Sequence, residues 1–135
     1  MTEKQKRFWS ILFWIAALFN FVIGVPLMLA REWAFALAFR TDVKTAGLAV
    51  DLWADFGFCV ALIGVGYAIV AADVTRNRGI VWLGIFAKGF DVVVLTWRWV
   101  IGMTQPLVLV PAAIDAVFIL FFVAFLLATR ATTRP

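Results

Sequence analysis

At 135 residues, with 65% hydrophobic side chains and a mean hydropathy of +1.03, this chain is far more apolar than a soluble domain, where roughly 45–50% is usual. It contains no histidine, which excludes His-ligated haem, His-based zinc sites, Ser-His-Asp triads and Cys-His pairs. The net charge of +4 resides in tails and loops rather than on a basic helix face, so nucleic acid is not an expected partner.

The apolar excess sits in long runs separated by short charged segments. This predicts an all-α fold: one integral membrane bundle of four transmembrane helices over 1–135. A soluble bundle would need polar outer helix faces, which these runs lack. Residues 1–7 form a short basic tail. The first run, 8–29, has no charge. Its apolar core exceeds that of a signal peptide and no clean small-x-small site follows, so it reads as a retained span. Asn20 lies inside it, Gly24 is one turn on, and Pro26 should kink or end the helix nearby.

Residues 31–50 form the longest connection. Trp33, Phe35, Leu37 and Phe39 alternate with alanines, but a lone strand would leave its backbone unpaired at a membrane surface. A short helix lying in the interface is expected instead, with a turn at 45–47. The second span covers about 51–72. It begins with Asp51 and Asp55, and Gly57, Ala61 and Gly64 form a small-residue strip suited to close helix packing. Cys59, the single cysteine, reads as a buried small hydrophobe. The loop 73–79 reads as a solvated turn. The third span, 80–102, carries Lys88, Asp91 and Arg98. The fourth, 107–128, carries Asp115, with Pro111 in its first turn, where proline is tolerated.

Lysines and arginines set the expected orientation. Lys4, Lys6, Arg7, Arg76, Arg78, Arg130 and Arg134 share one side, against Arg31, Arg40 and Lys44 on the other. The positive-inside rule puts both termini in the cytoplasm. Trp9 and Trp82 near one boundary, with Trp33, Trp53, Trp97 and Trp99 near the other, fit an aromatic belt.

The candidate functional residues are the polar groups inside the spans. At about 1.5 Å of rise per residue across a core of about 30 Å, Asn20, Asp91 and Asp115 fall near mid-membrane. Lys88 falls just to the cytoplasmic side of them, and Asp55 and Arg98 toward the outer boundary. Charges at such depths cost about 2.5–3.5 kcal/mol each on the insertion scale, so they should face protein. Two arrangements are open. One is an ion-pair knot, with Lys88 paired to Asp91 and Arg98 paired to Asp55 or Asp115. The other is a polar cavity open to the outer side. The spans hold more acids than bases, and Asp115 is expected to be the unpaired carboxyl, because its own helix has no basic neighbour.

The segment Gly-Tyr-Ala-Ile-Val-Ala-Ala-Asp-Val-Thr-Arg-Asn-Arg-Gly-Ile-Val-Trp-Leu-Gly-Ile-Phe-Ala-Lys (66–88), with Asp115 in a later span, resembles small uncharacterised four-span bacterial inner-membrane proteins. The resemblance covers about a third of the chain; it implies a bacterial inner-membrane location and no chemistry. Small multidrug transporters carry an essential acid in their first helix, where this chain has Asn20. Sterol-isomerase-like four-helix proteins have compatible acids and tryptophans, but no motif matches residue by residue.

Three function classes follow. The first is a non-enzymatic component, binding a small lipophilic or cationic ligand or serving as an accessory subunit, with Asn20, Asp55, Lys88, Asp91, Arg98 and Asp115 as the candidate residues. The second is a proton-coupled transporter using Asp115 or Asp91. The third, ranked last, is an enzyme using Asp and Lys as acid and base. No cofactor or metal is expected, and the expected partners are the bilayer and a second copy or another membrane protein.

Overall fold

The computed structural model describes residues 1–129; the tail 130–135, with the Arg130 and Arg134 counted above, lies outside the described residues. Among these residues the chain is helical, without a strand. Four of its helices are long and apolar enough to cross a membrane. In chain order the elements are α1 (Glu3–Leu29), α2 (Arg31–Ala38), α3 (Val43–Ala46), α4 (Leu48–Ala72), α5 (Arg78–Val100), a 3₁₀ turn (Pro106–Val108) and α6 (Leu109–Ala128).

Local chemistry sets the ends. α1 opens on a capping box: the Thr2 hydroxyl accepts from the Gln5 backbone N–H, and the Gln5 side chain accepts from the Thr2 N–H, which satisfies two of the helix's free donors. Pro26 has no N–H for the Val22 carbonyl, yet α1 continues to Leu29 before closing at Ala30. The alternating segment 31–39 is helix rather than strand up to Ala38. Of the turn expected at 45–47, Thr45 and Ala46 belong to α3, and only Gly47 lies between helices, at φ +50°, a conformation that favours glycine.

α1 packs along α4, and α5 along α6, with thinner contact between the two pairs. The α1–α4 crossing is set by glycine. A Cβ on Gly24 would lie 2.6 Å from the Gly57 carbonyl oxygen, and one on Gly57 would lie 2.5 Å from the Leu27 Cβ. The Gly57–Gly64 strip therefore faces α1, as the small-residue pattern predicts.

The helices alternate in direction, so Met1, the 73–77 loop and Thr129 lie at one end of the bundle, here the terminal end. Aromatic packing closes that end: Trp9 meets Phe125 at 5.4 Å, and Phe13 meets Phe122 and Phe125 at 5.0 Å each. Two of the tryptophans assigned to a belt do other work. Trp9 is buried in this core, and Trp53 packs on Phe39 and Phe56. The loop is also less solvated than expected. Arg78 donates to the Thr129 hydroxyl and the Leu126 carbonyl, placing a cation on the negative end of α6. Beside it Asp73 accepts from the Thr75 hydroxyl and backbone N–H, and these bonds hold its carboxyl below the ordinary range.

At the distal end, α2 is tied to the segment before the 3₁₀ turn. Gln105 N–H donates to the Ala38 carbonyl at 2.8 Å, Arg40 N–H to the Met103 carbonyl at 3.2 Å, and Arg40 Nε to the Thr104 carbonyl at 3.2 Å. This short antiparallel bridge links the α1–α4 pair to the α5–α6 pair. Beneath it Ala38, Leu95, Val108 and Ala112 form a small second core.

Candidate functional site

Three of the six candidate residues meet in one buried network. Lys88 on α5 pairs with Asp115 on α6 and also donates to the Asn20 Oδ1 on α1 at 3.2 Å. The Asn20 amide in turn donates to the Val60 carbonyl on α4 at 3.0 Å. One chain of polar contacts thus touches all four long helices. Lys88 is 3% exposed, Asn20 5% and Asp115 6%. The ammonium also lies 5.0–5.6 Å from the ring centres of Phe19, Tyr67 and Phe118, whose electron-rich faces attract a desolvated cation.

This corrects two expectations. Asp115 is not the unpaired carboxyl, and Lys88 does not pair with Asp91. A lysine three residues before an aspartate is the weaker orientation of a helical pair, whereas α6 offers Asp115 across the helix interface with nothing else to hold it.

Asp91 stays free. It makes no ion pair and no hydrogen bond among the described residues. It is partly buried and lines a cavity of about 470 Å³ between the two helix pairs. Asn20, Lys88 and Asp115 form the polar floor of this cavity, and its walls are aliphatic and aromatic side chains of α1, α2, α4, α5 and α6. This is the form of a small-molecule site: concave, apolar, with few placed polar groups.

Asp55 and Arg98 do not join the site. At about 100° per residue, Asp55 is turned roughly 200° around α4 from Gly57, which faces α1. It is accordingly exposed on the outward side. Arg98 lies beyond Leu95, whose side chain belongs to the distal core that caps the cavity. Neither makes an ion pair among the described residues. Asp51, near Asp55, is instead paired with Arg31 at 2.6 Å at the distal surface. Cys59, expected to be buried, is exposed at the cavity edge.

Tyr67 is the residue that reading the sequence missed. It is fully buried, its ring lies near Lys88, and its hydroxyl has no hydrogen-bond partner among the described residues. Gly84 makes room for it: a Cβ there would lie 2.6 Å from the hydroxyl. Gly84 precedes Lys88 by one helical turn, and that spacing is the signal that could have placed Tyr67 beside the lysine.

Among the described residues no group of three or more Cys, Asp or Glu side chains has metal-site spacing. Comparison of the chain with protein-family models, curated proteins and solved structures returns no match, so the functional reading rests on the site's geometry.

Proposed function

We propose that this protein is a non-enzymatic, multi-pass membrane component that binds a small lipophilic cation in the cavity between its helix pairs. It sits in the bacterial inner membrane with both termini cytoplasmic, an orientation supported by five basic residues, Lys4, Lys6, Arg7, Arg76 and Arg78, at the described terminal end. The observation that carries the ligand class is Asp91. The ammonium of Lys88, one turn before Asp91, is held by Asp115 and Asn20, which leaves Asp91 on an apolar-walled cavity without an ion-pair or hydrogen-bond partner of its own among the described residues. An unpaired charge in such surroundings is costly, and a cationic ligand removes that cost.

The test is equilibrium binding of N,N-dimethyldodecylamine and of neutral dodecanol to the purified chain in nanodiscs. The amine should bind in preference to the alcohol. Asp91→Asn should weaken amine binding by about thirty-fold or more, since losing one partner of a desolvated charge pair costs about 2–5 kcal/mol, and should leave dodecanol unaffected. Equal binding of the two probes, or an unchanged amine affinity in Asp91→Asn, overturns the reading.

The same carboxyl supports a second reading, a proton-coupled transporter working as an oligomer, with Asp91 rather than Asp115 exchanging a proton. It predicts pH-driven uptake of the amine into proteoliposomes, lost in Asp91→Asn. Binding without such uptake favours the component.

A further inference from the structure

The ion pairs, the α6 cap and the cavity account for all but two of the charged residues on α4, α5 and α6. Asp51 is paired with Arg31, Arg78 is bonded to the end of α6, Lys88 is paired with Asp115, and Asp91 lines the cavity. One acid and one base are left, Asp55 on α4 and Arg98 on α5, neither in an ion pair among the described residues. A charge inside a span is costly when only lipid surrounds it, so each calls for a partner of opposite sign.

Helical spacing puts both on one edge of the molecule. Near the terminal end α4 and α5 touch where Ile80 lies against Gly66. Asp55 precedes Gly66 by about three turns, and Arg98 follows Ile80 by about five. Each therefore lies on the stripe of its helix that faces this seam. Toward the distal end the cavity parts the two helices, with Cys59 and Ile63 on one wall and Phe90 and Asp91 on the other. Asp55 and Arg98 flank this parted stretch. Its width is set by α2, which the Arg31–Asp51 pair ties to α4 and the Ala38 and Arg40 bonds to 103–105 tie to the chain after α5. The two charges do not meet within one chain.

Two copies side by side in a bilayer present the same residues at the same depth. A two-fold axis along the bundle then sets α4 of each copy against α5 of the other. Judged from the Tyr67–Gly84 and Gly66–Ile80 contacts, Arg98 lies about 3–10 Å nearer the distal end than Asp55. Side chains lean toward the N-terminus of their helix. Because α4 and α5 run in opposite directions, Asp55 and Arg98 lean toward each other in depth, and the long arginine stem covers the rest.

We propose that the α4–α5 edge is a self-complementary face for a second copy of this chain, joined by two ion pairs between Asp55 of each copy and Arg98 of the other. A two-fold contact needs one patch that carries both halves of each pair, and this edge carries them. Leu62 on α4, with Phe90 and Trp97 on α5, are exposed apolar side chains of the same two helices and supply packing around the pairs. The proposal does not depend on what the cavity binds.

The experiment is native mass spectrometry of the full chain released from nanodiscs. Wild type should be a dimer. Asp55→Arg alone and Arg98→Asp alone put like charges at both contacts, so each should be monomeric. Co-expressed with tags of different mass, the two should form the mixed dimer, in which every swapped residue meets its opposite. Asp55→Asn and Arg98→Gln are the milder variants should the swaps not fold, and each should weaken the dimer by about ten-fold or more.

A monomeric wild type, or a ring of three or more copies, overturns the two-fold contact. A dimer that survives both swaps, or both milder variants, overturns the assignment to this edge. Recovery of the dimer in the double variant Asp55→Arg/Arg98→Asp, with none in the mixture of single variants, shows pairing within one chain and overturns the proposal.

Discussion

Lys88 and Asp115, separated by 27 residues in sequence, form a buried ion pair on neighbouring helices, and Asn20 ties that pair to the other helix pair. The pair and the single mutants should behave very differently. Lys88→Met or Asp115→Leu alone leaves one buried charge uncompensated, a loss of about 3–5 kcal/mol. The double variant Lys88→Met/Asp115→Leu should recover most of this. It should fall short by about 1 kcal/mol, because the Asn20 carbonyl loses its donor. Denaturant unfolding of the detergent-solubilised chain measures all three. A double variant no more stable than the worse single one would show that the two charges are not coupled through each other.

Tyr67 presents the opposite case. Its ring contributes to the core beside Phe13 and Phe122, but its hydroxyl is buried without a partner among the described residues. An orphaned hydroxyl costs about 1–3 kcal/mol relative to one that is bonded. Tyr67→Phe keeps the ring and removes the orphan, so stability should stay level or rise by about 1 kcal/mol. A clear fall in the same unfolding measurement would mean that the hydroxyl is bonded in the membrane, by a ligand head group or a trapped water.

Much of the helix architecture was legible because it follows from length, apolar content and the spacing of small residues. The level of Asn20, Lys88, Asp91 and Asp115 was legible too, since depth in a span follows from residue count. Which carboxyl Lys88 would take was not. Counting partners along one helix sees only neighbours at three and four residues, whereas Asp115 arrives from the next helix. The two depths differ by roughly 6 Å, which a lysine's four-carbon stem covers. Asp55 was misplaced for another reason. Its position inside a span, toward the outer boundary, made it a candidate, but depth says nothing about direction. The glycine strip that faces α1 already turned Asp55 outward. Tyr67 was passed over because a tyrosine in an apolar run reads as packing, and only the gap at Gly84 gives its hydroxyl a place beside the charge network.

The glycine crossing of α1 and α4 predicts a position-specific effect. Gly57→Val should destabilise by about 1–3 kcal/mol or more, because even a Cβ there meets Leu27 and the Gly24 backbone. Gly89→Ala on α5 is the control: nothing lies within 4 Å of the added methyl, and alanine favours helix over glycine by up to about 1 kcal/mol. The two unfolding curves should shift in opposite directions. Equal effects would mean that α1 and α4 do not cross at Gly24 and Gly57.

Asp55 tests what surrounds the bundle. Its carboxyl is on the outward side of α4, among the exposed Leu52, Phe58 and Leu62, with no cation paired to it among the described residues. If lipid alone covers this face, replacing the charge removes a penalty that approaches about 2.5–3.5 kcal/mol at the bilayer centre and is smaller near the edge. Asp55→Leu should then insert at least as well as wild type, with unchanged amine binding and an unchanged mass in native mass spectrometry. If a second copy or a partner subunit supplies a cation to Asp55, the same variant should shift the mass toward the monomer. The cavity readout should not move in either case, because Asp55 is not one of the residues that line the cavity. A loss of amine affinity in Asp55→Leu would therefore count against the outward placement itself.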